Sequence, residues 1–298
     1  MFKTSLVACG VISLALAVVI AAVLLGVAPA FAGRSAEALP VEAAPYVKAE
    51  DAGATLHNLV VFFALLVAAT VVIYLLFSKR RLLSLFLYFV WFILSVGVFQ
   101  FYVILYYWYG FLDEGVAVKL MWTSLLFGLF VVFLVYKRRG DLLLGFLGGL
   151  AGAMFVWLLP DATVLALLAA LPVYDYLMVS RGLLGKIVKK SKEAAPPSEA
   201  GGRRDTPLFG FVVRLKTISL GVGDFVVYSM ALSFVAMKLA RLGPAVLLLV
   251  GAGALLIYLG FQLTVDVFLK RWGYGPALPF PLLLLSPLIA AAWLATAG

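Results

Sequence analysis

Nine stretches of about 20 apolar residues dominate this chain and limit what it can fold into. A helix that crosses about 30 Å of hydrocarbon needs roughly 20 such residues, because each residue adds about 1.5 Å. No internal repeat and no alternating strand pattern indicates a barrel. The sequence therefore predicts an all-α membrane protein with nine transmembrane helices, over residues 5–28, 57–77, 83–106, 117–136, 142–159, 162–180, 217–239, 243–265 and 277–296.

Composition excludes the large classes of soluble protein. Of the 298 residues, 65% are hydrophobic and 12% are charged, whereas soluble domains have about 45–50% apolar and about 25% charged residues. A soluble enzyme is therefore excluded. The net charge of +9 is better explained by cytoplasmic anchors at a membrane surface than by binding of nucleic acid.

One cysteine and one histidine restrict the possible chemistry further. Cys9 alone excludes an internal disulfide and a cysteine-rich metal site. His57 alone excludes an H-E-x-x-H zinc protease, and a Ser–His hydrolase would need a G-x-S-x-G motif that this sequence lacks. We interpret His57 as an interfacial residue at a span boundary. The sequence predicts neither a metal site nor a cofactor.

The positive charges between the spans predict their direction. With a cytoplasmic N-terminus, 18 Lys and Arg residues fall on the inner side and 5 on the outer side. Because cytoplasmic loops carry the excess of Lys and Arg, the C-terminus is expected outside. Lys3, the apolar run and Ala30-Phe31-Ala32 also resemble a cleavable signal peptide. We favour a retained first span because the run exceeds the usual ~7–15 residues, and cleavage would leave the later spans unchanged in direction.

A basic segment divides the chain into two parts. Residues 1–180 form the predicted six-helix N-terminal part, and residues 217–298 form a three-helix C-terminal part. Between them, residues 181–216 hold nine Lys and Arg residues around the run AAPPSEAGG. Such a composition cannot build a packed face, so we expect a cytoplasmic loop that is partly disordered. Residues 33–56 are expected to form an external loop or interfacial stretch.

Two acidic residues lie well inside apolar spans. Asp175 is six residues before Arg181 in the sixth span, and Asp224 is eight residues after Lys216 in the seventh. A carboxylate at the centre of a membrane helix costs about 2.5–3.5 kcal/mol, so such residues mark pathways or active sites. At about 1.5 Å per residue both lie ~9–12 Å below the cytoplasmic boundary, level with each other on antiparallel helices.

Two carboxyl groups at one depth are suited to shared acid–base chemistry. Close together in a low dielectric they cannot both ionise, so one keeps its proton. An acid and a base that share one water form the arrangement of aspartic proteases. Asp266 and Lys238 lie nearer span ends, and we expect them to snorkel or to pair locally.

Two further elements lie close to these acids in the predicted topology. Asp224 ends the run Gly221-Val222-Gly223-Asp224, whose glycines weaken a helix and also permit close helix packing. At the entry to the ninth span, Pro276-Ala277-Leu278 precedes Pro279. The two prolines lack amide donors and leave backbone groups free at about the depth of the aspartates, although an ordinary proline-rich helix start explains them as well.

Together these elements resemble the presenilin and signal peptide peptidase family of intramembrane aspartyl proteases. Tyr174-Asp175 stands for the family's YD motif, Gly221–Asp224 for GxGD, and Pro276-Ala277-Leu278 for PAL. The three occur in the family's order on spans six, seven and nine. The resemblance is clear over residues 170–298, whereas the first five spans match in number and apolarity alone. Val222 fills the variable position, where many relatives carry leucine.

The resemblance implies hydrolysis of peptide bonds in transmembrane segments. Asp175 and Asp224 would activate a water, while Gly221, Gly223 and the PAL residues would hold an unwound substrate segment by strand-like hydrogen bonds. Tyr174 would support the pair, and Val222 would bear on substrate choice. The predicted direction is that of presenilins, which implies single-span substrates with an external N-terminus and cuts toward the cytoplasmic side.

The compact chain also looks like microbial, chiefly archaeal, homologues of that family. This likeness implies an integral protein of the plasma membrane that acts without obligate partner subunits. Two alternatives stay open. A prepilin or preflagellin peptidase also uses a GxGD motif, although the PAL element argues against it. A proton or cation pathway would use the same two carboxylates as a relay, although no inverted repeat or second set of broken helices is present.

Overall fold

The computed structural model describes residues 2–32, 41, 44–77, 79–180, 212–214, 219–269 and 275–297. A 3₁₀ turn, Ala28–Ala32, follows the first α-helix, and a second 3₁₀ turn, Ala240–Ala245, precedes the eighth α-helix. A π-helical segment, Val265–Leu269, directly follows the eighth α-helix. The described residues form nine α-helices, namely α1 (Phe2–Val27), α2 (Ala52–Leu76), α3 (Arg80–Trp108), α4 (Glu114–Tyr136), α5 (Asp141–Leu158), α6 (Asp161–Ser180), α7 (Val222–Lys238), α8 (Val246–Thr264) and α9 (Pro279–Ala297).

Eight helical segments in the described part of the chain are long and apolar enough to cross a membrane. The prediction of a helical, multi-pass membrane protein is therefore confirmed in this general form. The remaining helix, α7, has 17 residues and is shorter than the predicted span 217–239. The number of spans and their direction across the membrane stay predictions.

Two short strands correct the all-helical interpretation. β1 (Val212–Arg214) pairs antiparallel with β2 (Ser219–Gly221), and the opposed Val213 and Leu220 are both buried. Ser219–Gly221 was expected to be helical. It forms a strand because Gly221 keeps an extended backbone, with φ −65° and ψ 145°, and β2 then runs directly into α7. Of the predicted basic loop 181–216, all but Val212–Arg214 lies outside the described residues.

The pair α5 and α7 makes the most extensive helix contact in the bundle. Three glycines of α5, at positions 145, 148 and 152, make it possible. A Cβ added at Gly152 would lie 2.0 Å from the Val226 carbonyl oxygen, and one at Gly148 would lie 2.8 Å from the Val222 side chain. Lipid supplies no hydrophobic force between helices, so small residues that let backbones approach are a main source of packing energy. This contact fixes the start of α7 against α5.

Two buried clusters meet at α7. The larger joins α7 to α1, α6, α8 and α9, and the smaller joins the α3–α4 pair to α5. Val222, the first residue of α7, packs against both clusters. Beyond it, every residue of α7 from Val227 to Ala236 is buried. The helix that carries Asp224 is therefore the most enclosed element of the described fold.

Polar side chains tie α6 to its neighbours. Lys238 at the end of α7 forms a salt bridge with Asp161 at the start of α6, which confirms the expected pairing of Lys238. Asn58 of α2 is fully buried and bonds both backbone groups of Val47 at 2.8 Å, and it also donates to the Thr163 hydroxyl of α6 at 3.1 Å. Unpaired charges and amides are expensive in hydrocarbon, so these contacts resist separation of α6 from α7 and α2.

The glycine contact between α5 and α7 can be tested by adding one methyl group. We expect Gly152→Ala to lower the free energy of unfolding by about 1–3 kcal/mol, because the new Cβ overlaps the Val226 carbonyl and forces the helices apart. Gly251→Ala in α8 is the control, since its Cβ meets nothing within 4 Å. Thermal unfolding in detergent compares the two variants, and equal losses of stability would contradict the close contact.

Candidate active site

Asp175 lies in the second half of α6, three residues beyond a helix-disturbing proline. Pro172 has no N–H for the Leu168 carbonyl, so the hydrogen-bond ladder of α6 is interrupted before the acid. Oδ2 of Asp175 accepts a hydrogen bond from the backbone N–H of Leu278 at 3.1 Å. A side chain of α6 is thereby attached to the backbone that leads into α9.

Asp224 lies in the first turn of α7, not deep within a helix as the predicted span implied. Its Oδ2 accepts a hydrogen bond from the Gly221 N–H at 2.9 Å. This is one half of a capping box, in which the third helical residue satisfies the amide that precedes the helix. A Cβ at Gly221 would lie only 3.3 Å from the same oxygen, so the absence of a side chain leaves this bond unobstructed.

The fold brings the two acids together. Their carboxyl groups are close enough to repel each other when both are charged. Like charges in a site of low dielectric favour a state with one shared proton. The two acids are therefore near neighbours in the fold, and their action as a catalytic pair stays a prediction.

The segment before α9 supplies backbone groups to the pair. Gly275–Leu278 is not helical, and α9 begins at Pro279, two residues later than the predicted span. Proline is well suited to the first helical position because its missing N–H would have had no partner there. The Leu278 N–H is bound by Asp175, as described, and the Ala277 carbonyl accepts the Tyr228 hydroxyl at 2.7 Å. Pro276 itself is buried.

Tyr228 is a site residue that the sequence analysis did not identify. It is 3% exposed, and its hydroxyl lies near both carboxyl groups. The signal in the sequence was its position four residues after Asp224, which places both side chains on one face of a helix. Spacing alone does not show a bond to a segment 49 residues away, so the role becomes visible in the tertiary structure.

The other predicted site residues lie around the pair in different directions. Tyr174 points toward α2, where its ring centroid is 5.6 Å from that of Phe63 and its hydroxyl lies beside Thr70. Val222 points toward Gly148 of α5. Gly223 is exposed, and a Cβ added there would meet nothing within 4 Å. Of these three residues, Gly223 is the one that borders open space beside Asp224.

An aromatic contact holds the segment before α9 from the other side. Phe268, in the π-helical segment, packs against Tyr176 of α6 and Phe280 of α9, with ring centroids 6.4 and 5.7 Å apart. A Cβ at Gly275 would lie 2.5 Å from the Phe268 Cβ. Inserted π-helical turns are frequent near functional sites because they redirect side chains. Here the turn places Phe268 where it confines the segment that binds Asp175.

The described residues contain no group of three or more His, Cys, Asp or Glu side chains placed to hold a metal ion. His57, by contrast with the two acids, is exposed on α2, and its Nε2 lies 3.3 Å from the Pro45 carbonyl oxygen. Comparison with models of protein families and with curated proteins finds no match to this chain. The residues and geometry of the carboxyl pair therefore carry the inference about function.

The contact of Tyr174 with Phe63 leads to a prediction. We expect Tyr174→Ala to lower the free energy of unfolding by roughly 2 kcal/mol or more, because the ring loses its packing on Phe63. Tyr174→Phe is the matched variant and should stay within about 0.5 kcal/mol of the parent, because it keeps the ring. Thermal unfolding in detergent measures both. A large loss in Tyr174→Phe would show that the hydroxyl, and not the ring, is the important group.

Proposed function

We propose that this chain is an intramembrane aspartyl protease that hydrolyses peptide bonds in the transmembrane segments of other proteins. The observation that carries the proposal is the approach of Asp175 and Asp224 beside non-helical backbone at residues 275–278. Paired carboxyl groups and non-helical backbone are both expensive in hydrocarbon, and a hydrolytic site for peptides is a use that explains their presence together.

The chemistry needs one proton between the two carboxyl groups and one water. The ionised carboxyl removes a proton from the water as its oxygen attacks the scissile carbonyl carbon. The protonated carboxyl donates to the carbonyl oxygen, which gives a gem-diol intermediate. Breakdown of that intermediate transfers a proton to the leaving nitrogen and restores the starting state. The coupled pair titrates as a unit, so neither aspartate is assigned a fixed role as acid or base.

The substrate must present an extended backbone, because a helix hides its carbonyl groups. β2 pairs with β1 along one edge and continues directly to Asp224. An extended peptide that adds to a strand edge gains backbone hydrogen bonds without a sequence requirement. Exposed Gly223 leaves space for such a peptide beside the carboxyl pair. These features support binding of an unwound segment next to the pair.

The loosely packed helix α2 offers an access route. Its buried residues are Ala54 and Asn58, both near its start. Farther along, partly buried side chains contact the bundle, among them Phe62 and Phe63, which pack against Phe155 of α5 and Tyr174 of α6. Asn58 ties the start of α2 to α6, but the part of α2 beyond it has few buried residues and separates from its neighbours at low free-energy cost. We infer that a transmembrane substrate approaches Asp175 from this side.

The surroundings of the pair favour hydrolysis over ion transport. From Met230 to Ala236, α7 is fully buried, and Ser233 is its only polar side chain over that stretch. An ion that moved past the carboxyl groups along α7 would cross this region without its hydration shell. A prepilin-type peptidase would share the two acids but has no need for the backbone contact between Asp175 and Leu278.

The predicted direction defines the substrates more closely. With the charge distribution described above, substrates would be single-span membrane proteins with an external N-terminus, and cuts would fall toward the cytoplasmic side. Obligate partner subunits are not expected, and an archaeal plasma membrane is the location that the sequence resemblance favours. The surrounding bilayer is part of the working environment because both the enzyme and its substrates span it.

Cleavage of a single-span reporter by the purified protein in lipid vesicles tests the proposal. We expect the parent to cut within the span, and Asp175→Ala and Asp224→Ala each to lose about two to four orders of magnitude in rate, because either acid alone lacks its proton partner. Mass analysis of the products locates the cut.

Asp266→Ala is the matched control, since it removes an exposed carboxylate in the π-helical segment. It should keep the rate of the parent within a factor of about two. A parent that is inactive on several destabilised spans, or full activity in either Asp175→Ala or Asp224→Ala, would contradict the paired-carboxyl mechanism. Ion flux through the vesicles would then become the assay for the relay alternative.

A further inference from the structure

We propose that Tyr228 is a positioning residue that controls Asp175 through a single amide, the peptide group between Ala277 and Leu278. The kinetic consequence of this inference rests on the proposed function. The structural consequence, a change in how readily the Asp175 carboxyl group ionises, does not require that the protein cleaves a substrate.

Both ends of this amide are bound, and by different helices. Its carbonyl oxygen, on Ala277, accepts the Tyr228 hydroxyl of α7 at 2.7 Å. Its N–H, on Leu278, donates to Oδ2 of Asp175 on α6 at 3.1 Å. The two hydrogen bonds therefore form one continuous chain from α7 through the amide to α6.

An amide transmits the effect of one bond to the other. Partial double-bond character keeps the carbonyl and the N–H in one plane, so fixing the carbonyl direction also fixes the N–H direction. A hydrogen bond received by the carbonyl polarises the amide and strengthens the bond that its N–H donates. The Tyr228 hydroxyl thus orients the donor to Asp175 and strengthens it.

Local structure would not hold this amide by itself. Gly275–Leu278 belongs to neither a helix nor a strand. Helical bonding starts with the next carbonyl, that of Leu278, which accepts the Leu282 N–H at 3.1 Å. Rotation of the backbone on either side of the amide would turn its N–H away from Asp175. Tyr228, fixed in a fully enclosed part of α7, supplies the constraint that the segment lacks.

The position of Tyr228 on α7 has a geometric consequence. α7 already carries Asp224, which lies four residues before Tyr228. The same helix therefore holds one carboxyl group directly and orients the donor to the other. If α6 shifts relative to α7, the hydrogen bond between Asp175 and Leu278 changes in length, whereas the Leu278 N–H that donates it keeps its position.

Infrared pH titration of the purified protein in lipid tests the inference without a substrate. The carboxyl bands that Asp175→Asn removes or shifts identify the coupled pair, whose titration is then followed as a unit. In Tyr228→Phe we expect the pair to ionise at a pH about half a unit higher, because a weakened donor stabilises the Asp175 carboxylate less. Incorporation of 3-fluorotyrosine at position 228 should move it the other way, since its more acidic hydroxyl is a stronger donor.

Tyr102→Phe is the matched control for loss of a buried hydroxyl. Tyr102 is 7% exposed, and its hydroxyl donates to the Leu150 carbonyl at 2.8 Å, the same kind of bond between other helices. This variant should leave the Asp175 titration unchanged. An unmoved band in both variants at position 228, or an equal shift in Tyr102→Phe, would overturn the inference.

Reporter cleavage then separates this inference from the proposed function. In Tyr228→Phe we expect the acidic limb of the pH profile of kcat to move up by about the same half unit, with KM changed less than twofold, since Tyr228 acts on Asp175 and not on the substrate. A parent without cleavage activity would refute the protease and leave the infrared result to decide the inference. An active parent with an unshifted profile in Tyr228→Phe would refute the inference alone.

Discussion

The contact between α5 and α7 is the constraint on which the rest of the structure depends. In a membrane the helices gain little by excluding lipid from one another, so stability comes from close packing and from satisfied polar groups. Glycines at 145, 148 and 152 let α7 lie against the backbone of α5, and a Cβ at Gly152 would overlap the Val226 carbonyl. Because α7 carries both Asp224 and Tyr228, this contact determines where the candidate site is built.

A second constraint is that polar groups at membrane depth need partners within the protein. Many polar groups of the described residues find such partners in neighbouring helices or nearby side chains, whereas the buried hydroxyls of Ser229 and Ser233 have none there. Pro287 of α9 cannot bond the Leu283 carbonyl, and the Ser286 hydroxyl donates to that oxygen at 2.8 Å instead. The Lys238–Asp161 salt bridge joins the end of α7 to the start of α6. The amide between Ala277 and Leu278 follows the same rule, and in doing so it connects α7 with Asp175.

Much of the candidate site was predictable because it depends on residue type and depth. Two acids in apolar spans and a segment with two prolines are unusual enough to be recognised in the sequence, and the fold brings Asp175, Asp224 and Leu278 together. Tyr228 was missed because a tyrosine within an apolar helix has many ordinary explanations. The strand β2 was missed because Ser219–Gly221 is too short for an alternating pattern, and its pairing with β1 is not local.

The sequence by itself determined that the chain is a helical membrane protein, because about 20 apolar residues in succession have few other stable arrangements in water or lipid. It also determined that Asp175 and Asp224 are exceptional, since carboxylates in such stretches carry a large free-energy cost. The tertiary structure decided that α7 begins only at Val222, that Tyr174 and Val222 face neighbouring helices, and that one amide links Tyr228 to Asp175. These features depend on contacts between residues far apart in the chain, and local sequence patterns do not predict such contacts.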